Sequence, residues 1–163
     1  MSHFIAWLGA SSASVWIRDQ SPWLWPLCET LHFIGLALVV GVAGVFDLRL
    51  LGALKPIPIA ALKRCLPWAM SGFGLNLLTG VVFFTANPYQ YFINPAWWAK
   101  LAFLALAVMN AVTFETVLSR HVLALGPDET TPLSSKVVGG FSLVSWFAVL
   151  FFGRMLAFVG GTD

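Results

Sequence analysis

Apolar residues run along this chain in four long blocks, separated by short stretches rich in proline, glycine, asparagine and charge. A helix crossing the hydrocarbon core of a bilayer needs about 20 mostly apolar residues. The blocks, at about 23–54, 67–86, 95–119 and 136–159, each reach that length. Membrane barrel strands would be nearer 10 residues with strict alternation, a pattern not found here. The expected fold is all-α: one membrane domain, residues 1–163, built as a transmembrane four-helix bundle.

The punctuation between blocks fits that reading. Ser21-Pro22 suits an N-cap followed by a first helical residue, and Trp23 and Trp25 belong at headgroup level. Asn87-Pro88 stops the second block, and Asn94-Pro95 announces the third, flanked by Trp97 and Trp98. Gly126-Pro127 ends the third region and Gly160-Gly161 follows the fourth. Ahead of the first span, residues 2–17 read as a short interfacial helix. Phe4, Leu8 and Val15 fall near one face of it, while Ser11, Ser12 and Ser14 interrupt the rest. Only His3 precedes its apolar run, which is not the basic n-region of a signal peptide.

Composition settles the solvent. The chain is 59% hydrophobic and 10% charged, with a mean hydropathy of +0.85. A soluble domain carries about 25% charged residues, so the apolar excess must face lipid. A soluble enzyme and a disordered chain are excluded. So is a nucleic-acid binder, because a net charge of +2 with scattered basic residues makes no phosphate-tracking face. Loop charges set the orientation: Arg49, Lys55, Lys63 and Arg64 flank the first loop, Arg120 and Lys136 the third, and the second has none. Positive charge stays inside, which predicts both termini on the outer side, the periplasm in a bacterium. Cys28 and Cys65 then lie at opposite faces, too far apart for a disulfide.

Ionisable residues within spans are functional hypotheses by default. At the outer end are Glu29 and His32 on the first span, Lys100 on the third and Arg154 on the fourth. At the inner end are Asp47, Arg49 and Glu115, with Arg120 and His121 beyond. Asn76, Thr79 and Asn110 lie near mid-membrane. His32 is the one imidazole placed well within a span, and an imidazole there can ligate haem iron or a metal, or relay protons. Lys100 and Arg154 can then hold carboxylates such as haem propionates. The competing reading is that Glu29, Lys100 and Arg154 only pair, and His32 bonds a carbonyl one turn away. Either way, the cost of a charge in lipid predicts that all four residues face the bundle interior together. Cys28 and His32 at i, i+4, with Met155 at similar depth, are a weaker copper set. The single Glu-x-x-His, Glu29 to His32, is half of what a di-iron bundle requires. At the inner end, Asp47 and Arg49 are too close in sequence to share a helix face, and Glu115 with Arg120 or Arg49 is the plausible tie. Gly35, Gly41, Gly44, Gly72, Gly74 and Gly80 permit close helix approach.

Three stretches carry a resemblance: WLWPLCETLHFIGLALVVGVAGVFDLRLLG from Trp23, LPWAMSGFGLNLLTGVVFF from Leu66 and NPAWWAKLAFLALAVMNAVTFE from Asn94. Span by span, nearly the whole chain resembles a family of small bacterial inner-membrane proteins whose domain has no assigned function. The resemblance implies four helices and a bacterial inner membrane. More loosely, the early span histidine and Trp97-x-x-Lys100 are similar to CopD-like copper-resistance domains and to the haem-binding HemJ-type protoporphyrinogen oxidases. Glu115 follows Asn110 and Phe114 where that pattern often has histidine, so a second axial histidine is not implied.

The function expected first is a haem-b-binding or quinone-associated redox component, with His32 as metal or axial ligand and Glu29, Lys100 and Arg154 around the cofactor. A non-catalytic accessory subunit or homo-oligomer, docking partner membrane subunits through its aromatic surface, is the alternative. Copper or small-ion transport is a third, weakened by the lack of an internal repeat.

Overall fold

The computed structural model describes residues 2–19 and 22–159, and among them it is all-α with no strand. Ser21 and the expected Gly160-Gly161 stop lie outside the described residues, but the first span starts at Leu24 behind Trp23, so Pro22 is not its first helical residue. Four helical stretches are long and apolar enough to span a membrane: Leu24–Leu51, Ile59–Ala86, Pro95–Leu123 and Leu133–Met155. The first has 28 residues, about 42 Å at 1.5 Å per residue. A hydrocarbon core is about 30 Å thick, so the ends of this helix reach headgroup level.

The N-terminal arm is two helices rather than one, α1 (Ser2–Gly9) and α2 (Ser12–Asp19). Ser11 causes the break. Its hydroxyl donates to Leu8 O at 2.6 Å and accepts from the Ser14 N–H at 3.2 Å, closing one helix and capping the next. The buried positions are Ile5 and Ser14, while Phe4 and Val15 are exposed, so the apolar face inferred from spacing is not the face that docks. Hydrogen bonds decide the docking instead. Ser14 Oγ and Arg18 Nη1 both donate to Ala86 O, at 3.1 and 2.9 Å, and latch the arm onto the end of the second span.

The remaining elements are α3 (Leu24–Leu51), α4 (Ile59–Lys63), α5 (Leu66–Ala86), α6 (Pro88–Ile93), α7 (Pro95–Thr113), α8 (Ser119–Leu123) and α9 (Leu133–Met155). A π-turn, Phe114–Leu118, joins α7 to α8. α3 stops at Gly52, not near Leu54, because Gly52 adopts a left-handed φ of 97°. The Gly52 and Ala53 N–H groups then return to Arg49 O and Leu48 O. Asn94 caps α7 by accepting the Ala96 N–H at 2.9 Å. Its amide also donates to Leu156 O at 3.1 Å, which marks the end of α9 short of the expected Val159. α6 occupies what the pattern reads as the second loop.

α3 packs against both α5 and α9, and α7 packs on α9. All three pairs are antiparallel. The α5–α7 side has no comparable seam. It is bridged at one end by the stacked rings of Phe84 and Trp97, 5.1 Å apart. The bundle therefore has an arm end, carrying α1, α2 and α6, and a cap end, where α4 and α8 cover a buried cluster of Phe46, Leu50, Ile59, Phe114 and Val122. Leu78, Met109, Val144 and Phe147 are exposed along the outside, as lipid contact requires.

Two glycines set the tightest seam. A Cβ built on Gly72 would lie 2.6 Å from Gly35 O, and one on Gly35 would lie 2.7 Å from Gly72 O. Only hydrogen fits at either position, and it lets the two backbones touch. Gly74, in the same helix, has nothing within 4 Å of its built Cβ. Gly72→Ala is expected to destabilise the folded protein by about 1–3 kcal/mol, whereas Gly74→Ala leaves stability unchanged or slightly raised. Thermal unfolding of the two variants in the same detergent checks this, and equal midpoints would refute the seam.

Candidate functional site

His32 lies one turn from Gly35 toward the arm end, and Thr79 two turns from Gly72 in the antiparallel partner, so the glycine seam carries these two side chains into contact. His32 Nδ1 is 2.7 Å from Thr79 Oγ1. The Thr79 hydroxyl donates backward along its helix to Leu75 O at 2.8 Å. A hydroxyl has one hydrogen. When that hydrogen is on Leu75 O, Nδ1 carries the imidazole proton and donates to Oγ1; when it turns to Nδ1, the roles reverse. In the first arrangement Nε2 keeps its lone pair, in the tautomer that a ligating or proton-accepting histidine needs. The ring is further held edge-on against Phe83, at 5.5 Å, and Phe83 also meets Trp25 at 4.9 Å.

Lys100 comes from α7, and its chain crosses over Gly153 of α9, whose built Cβ would sit 3.7 Å from Lys100 Cε and Nζ. It is partly buried and close enough to His32 for its charge to bear on the ring. These two members of the expected arm-end cluster therefore sit at one level of the bundle, on α3 and α7, with α9 packed against both. The other two do not join them. Glu29 is exposed and accepts from Trp25 Nε1 at 3.0 Å, one turn back on its own helix. Burial, and then the Glu29 charge, hold the Tyr91 phenol of α6 above its usual range. Arg154 is exposed too, with its guanidinium 5.1 Å over the Phe158 ring. The physical reason is depth. Both lie within a turn or two of a helix end, where a long side chain reaches the headgroups and avoids the cost that would turn it inward.

The expected ties at the opposite end also differ. Glu115 pairs with Lys63 at 2.8 Å, not with Arg120 or Arg49. Arg49 Nε donates to Ile57 O at 2.8 Å, and Asp47 faces Ser142 of α9. Cys28 and Cys65 are both free thiols. Among the described residues, no three His, Cys, Asp or Glu side chains are placed to share a metal ion. Thr79 is the residue that sequence reasoning left unassigned. Its mid-span position was legible, but nothing in one chain's spacing says that it faces His32 across a helix pair.

Four antiparallel apolar helices, with polar side chains bonded between them and large hydrophobics turned outward, define a multi-pass helical membrane protein. The chain belongs to DUF6644, a family of unknown function, whose model matches residues 4–159. No curated protein and no solved structure matches it. The family match does not bear on the looser similarity to CopD-like and HemJ-type domains.

The His32–Thr79 bond makes a direct prediction. Thr79→Val keeps the side-chain shape but removes the acceptor, and should destabilise the protein by about 1–3 kcal/mol through an unpaired imidazole N–H. Thr79→Ser should retain most of the stability. Unfolding midpoints check the pair, and a neutral Thr79→Val would sink the His32–Thr79 bond as a stabilising contact.

Proposed function

We propose that this membrane protein is a quinone-associated redox component that holds a quinol head at His32. One observation carries the reading: the 2.7 Å contact with Thr79 engages Nδ1 and leaves Nε2 for a ligand, an acceptor within the membrane when the ring proton is on Nδ1. A quinol hydroxyl donates to such a nitrogen, and the second quinol oxygen can accept from the Lys100 ammonium. Phe83 and Trp25 supply aromatic surface for the ring. The side between α5 and α7, closed by no seam like the α3–α5 contact, gives an isoprenoid tail a route to lipid.

Haem b is the second reading, favoured by the same orienting bond, since an axial histidine commonly donates its other N–H to an oxygen. His32 would be the axial ligand and Lys100 the propionate partner. Two features weigh against it. Gly35 and Gly72 bring α3 and α5 into backbone contact one turn from His32, leaving no slot for a macrocycle between these helices. Arg154, the other expected propionate partner, is turned outward onto Phe158.

Purified wild-type protein separates the readings. The expected result is no Soret band, quinone recovered in near-stoichiometric amount by solvent extraction, and at least tenfold less in His32→Ala and Lys100→Met, with membrane insertion unchanged. A Soret band that disappears in His32→Ala would replace quinone by haem. Neither chromophore in the wild type, or full quinone retention by His32→Ala, would refute the site.

A further inference from the structure

The most unusual group in the molecule lies at the cap end. Arg49 is 0% exposed, and both its terminal amino groups, Nη1 and Nη2, have no hydrogen-bond partner among the described residues. Its Nε is committed to Ile57 O, in the segment joining α3 to α4. A buried guanidinium without a counter-charge is strongly disfavoured, and natural folds almost always satisfy such donors.

None of the acids of this end is paired with Arg49 among the described residues. Glu115 is taken by Lys63, and Glu129 accepts the Gly126 N–H at 2.8 Å. Asp47 is two residues from Arg49, about 200° round the helix; it faces Ser142 of α9 and keeps its Oδ2 buried without a partner among the described residues. Asp128 is exposed in the α8–α9 connection, where its N–H donates to Lys55 O. Positive charge gathers instead. Lys136 and Lys55 both reach the turn that ends α3, their Cε atoms 3.9 and 4.0 Å from a Cβ built on Gly52. Arg49 shares its helix face with Phe46 and Leu50, which pack under Ile59, Phe114 and Val122. The adjoining π-turn, Phe114–Leu118, is a distortion common at functional sites.

We propose that the cap end of the bundle is a phosphate-binding site, with Arg49 as the fork that grips two phosphate oxygens and Lys55 and Lys136 as the surrounding charge. The free Nη1 and Nη2 edge of a guanidinium matches two oxygens of a phosphate in a planar, bidentate contact. Depth selects phosphate among anions. Arg49 is two residues from the end of a helix of about 42 Å, which puts it at the level where lipid phosphates lie. Residues 53–58 are exposed, and the Arg49 Nε–Ile57 bond ties them over the guanidinium, so shifting this segment admits the ligand. The phosphate can belong to an anionic lipid or be free in solution. This site is distinct from that at His32 and stands without it.

The test uses the full chain in phosphatidylcholine nanodiscs, with two additions made separately: phosphatidylglycerol in the discs, and inorganic phosphate in the buffer at constant ionic strength. The expected result is a rise of at least about 3 °C in the unfolding midpoint with one of them. It should be absent in Arg49→Gln, partly kept in Arg49→Lys and reduced in the Lys55→Gln/Lys136→Gln double variant. A rise with phosphatidylglycerol alone assigns a lipid headgroup, and a rise with phosphate in both disc types assigns a free phosphate. No rise with either, or the same rise in Arg49→Gln, overturns the proposal. Should Arg49→Gln fail to fold, the double variant decides: an undiminished rise there overturns it equally.

Discussion

The contact between the Gly35 and Gly72 backbones is the constraint on which the rest of the structure depends. In lipid no hydrophobic force draws helices together, so association rests on close packing and on hydrogen bonds between helices. Removing both side chains at one crossing supplies the first. It also brings α3 near enough to α5 for the second, the 2.7 Å bond between His32 and Thr79. The same geometry that ties the helices thus orients the imidazole. α9 follows a similar rule on the other flank of α3, where a Cβ built on Gly139 would lie 2.9 Å from Leu50 Cβ and 3.0 Å from Asp47 O. α3 is the central helix because both of its flanks accept a glycine.

The two ends of the bundle solve the problem of charge differently. At the arm end, Glu29 and Arg154 escape to the surface, and a latch made by Ser14 and Arg18 on a single carbonyl covers the end of α5. At the cap end, charge is folded inward. Asp47 is 5% exposed with Oδ2 unpartnered, and Arg49 is fully buried. The difference follows from what covers each end. Short helices α4 and α8 close over the cap end through apolar contacts, held from outside by the exposed Lys63–Glu115 pair. A surface pair of that kind contributes about 0–1 kcal/mol, so the apolar cluster, not the ion pair, keeps the polar groups beneath it out of water.

The arm and the second connection show how local chemistry overrides an average pattern. A stripe of Phe4, Leu8 and Val15 suggests an apolar face, yet Ser11 splits the segment and Ser14 becomes the buried contact. The carbonyls at the end of a spanning helix lack partners in the helix itself. Donors that satisfy them near the membrane surface outweigh the burial of one or two apolar side chains. Proline at the first positions of both α6 and α7 turns residues 87–96 into a short helix and a cap where composition alone reads as loop.

The sequence by itself determined the four spans, the all-α fold and the unpaired cysteines. These depend on the length and composition of contiguous segments, which a single chain displays in full. It also marked His32 and Lys100 as worth attention, because an ionisable group inside a span is costly wherever it points. Helix ends were legible where proline lies at the stop, as at Asn87-Pro88, although the Gly52 stop of α3 was missed. The end of α9, facing Asn94 across the bundle, was not legible either. The tertiary structure alone decided that Thr79 orients His32, that Glu29 and Arg154 turn away from it, and that Arg49 is the group left buried and unpaired. Each of these depends on the rotation and depth of one helix against another. That is fixed by where two glycine backbones touch, a relation between distant residues that no local pattern in the chain encodes.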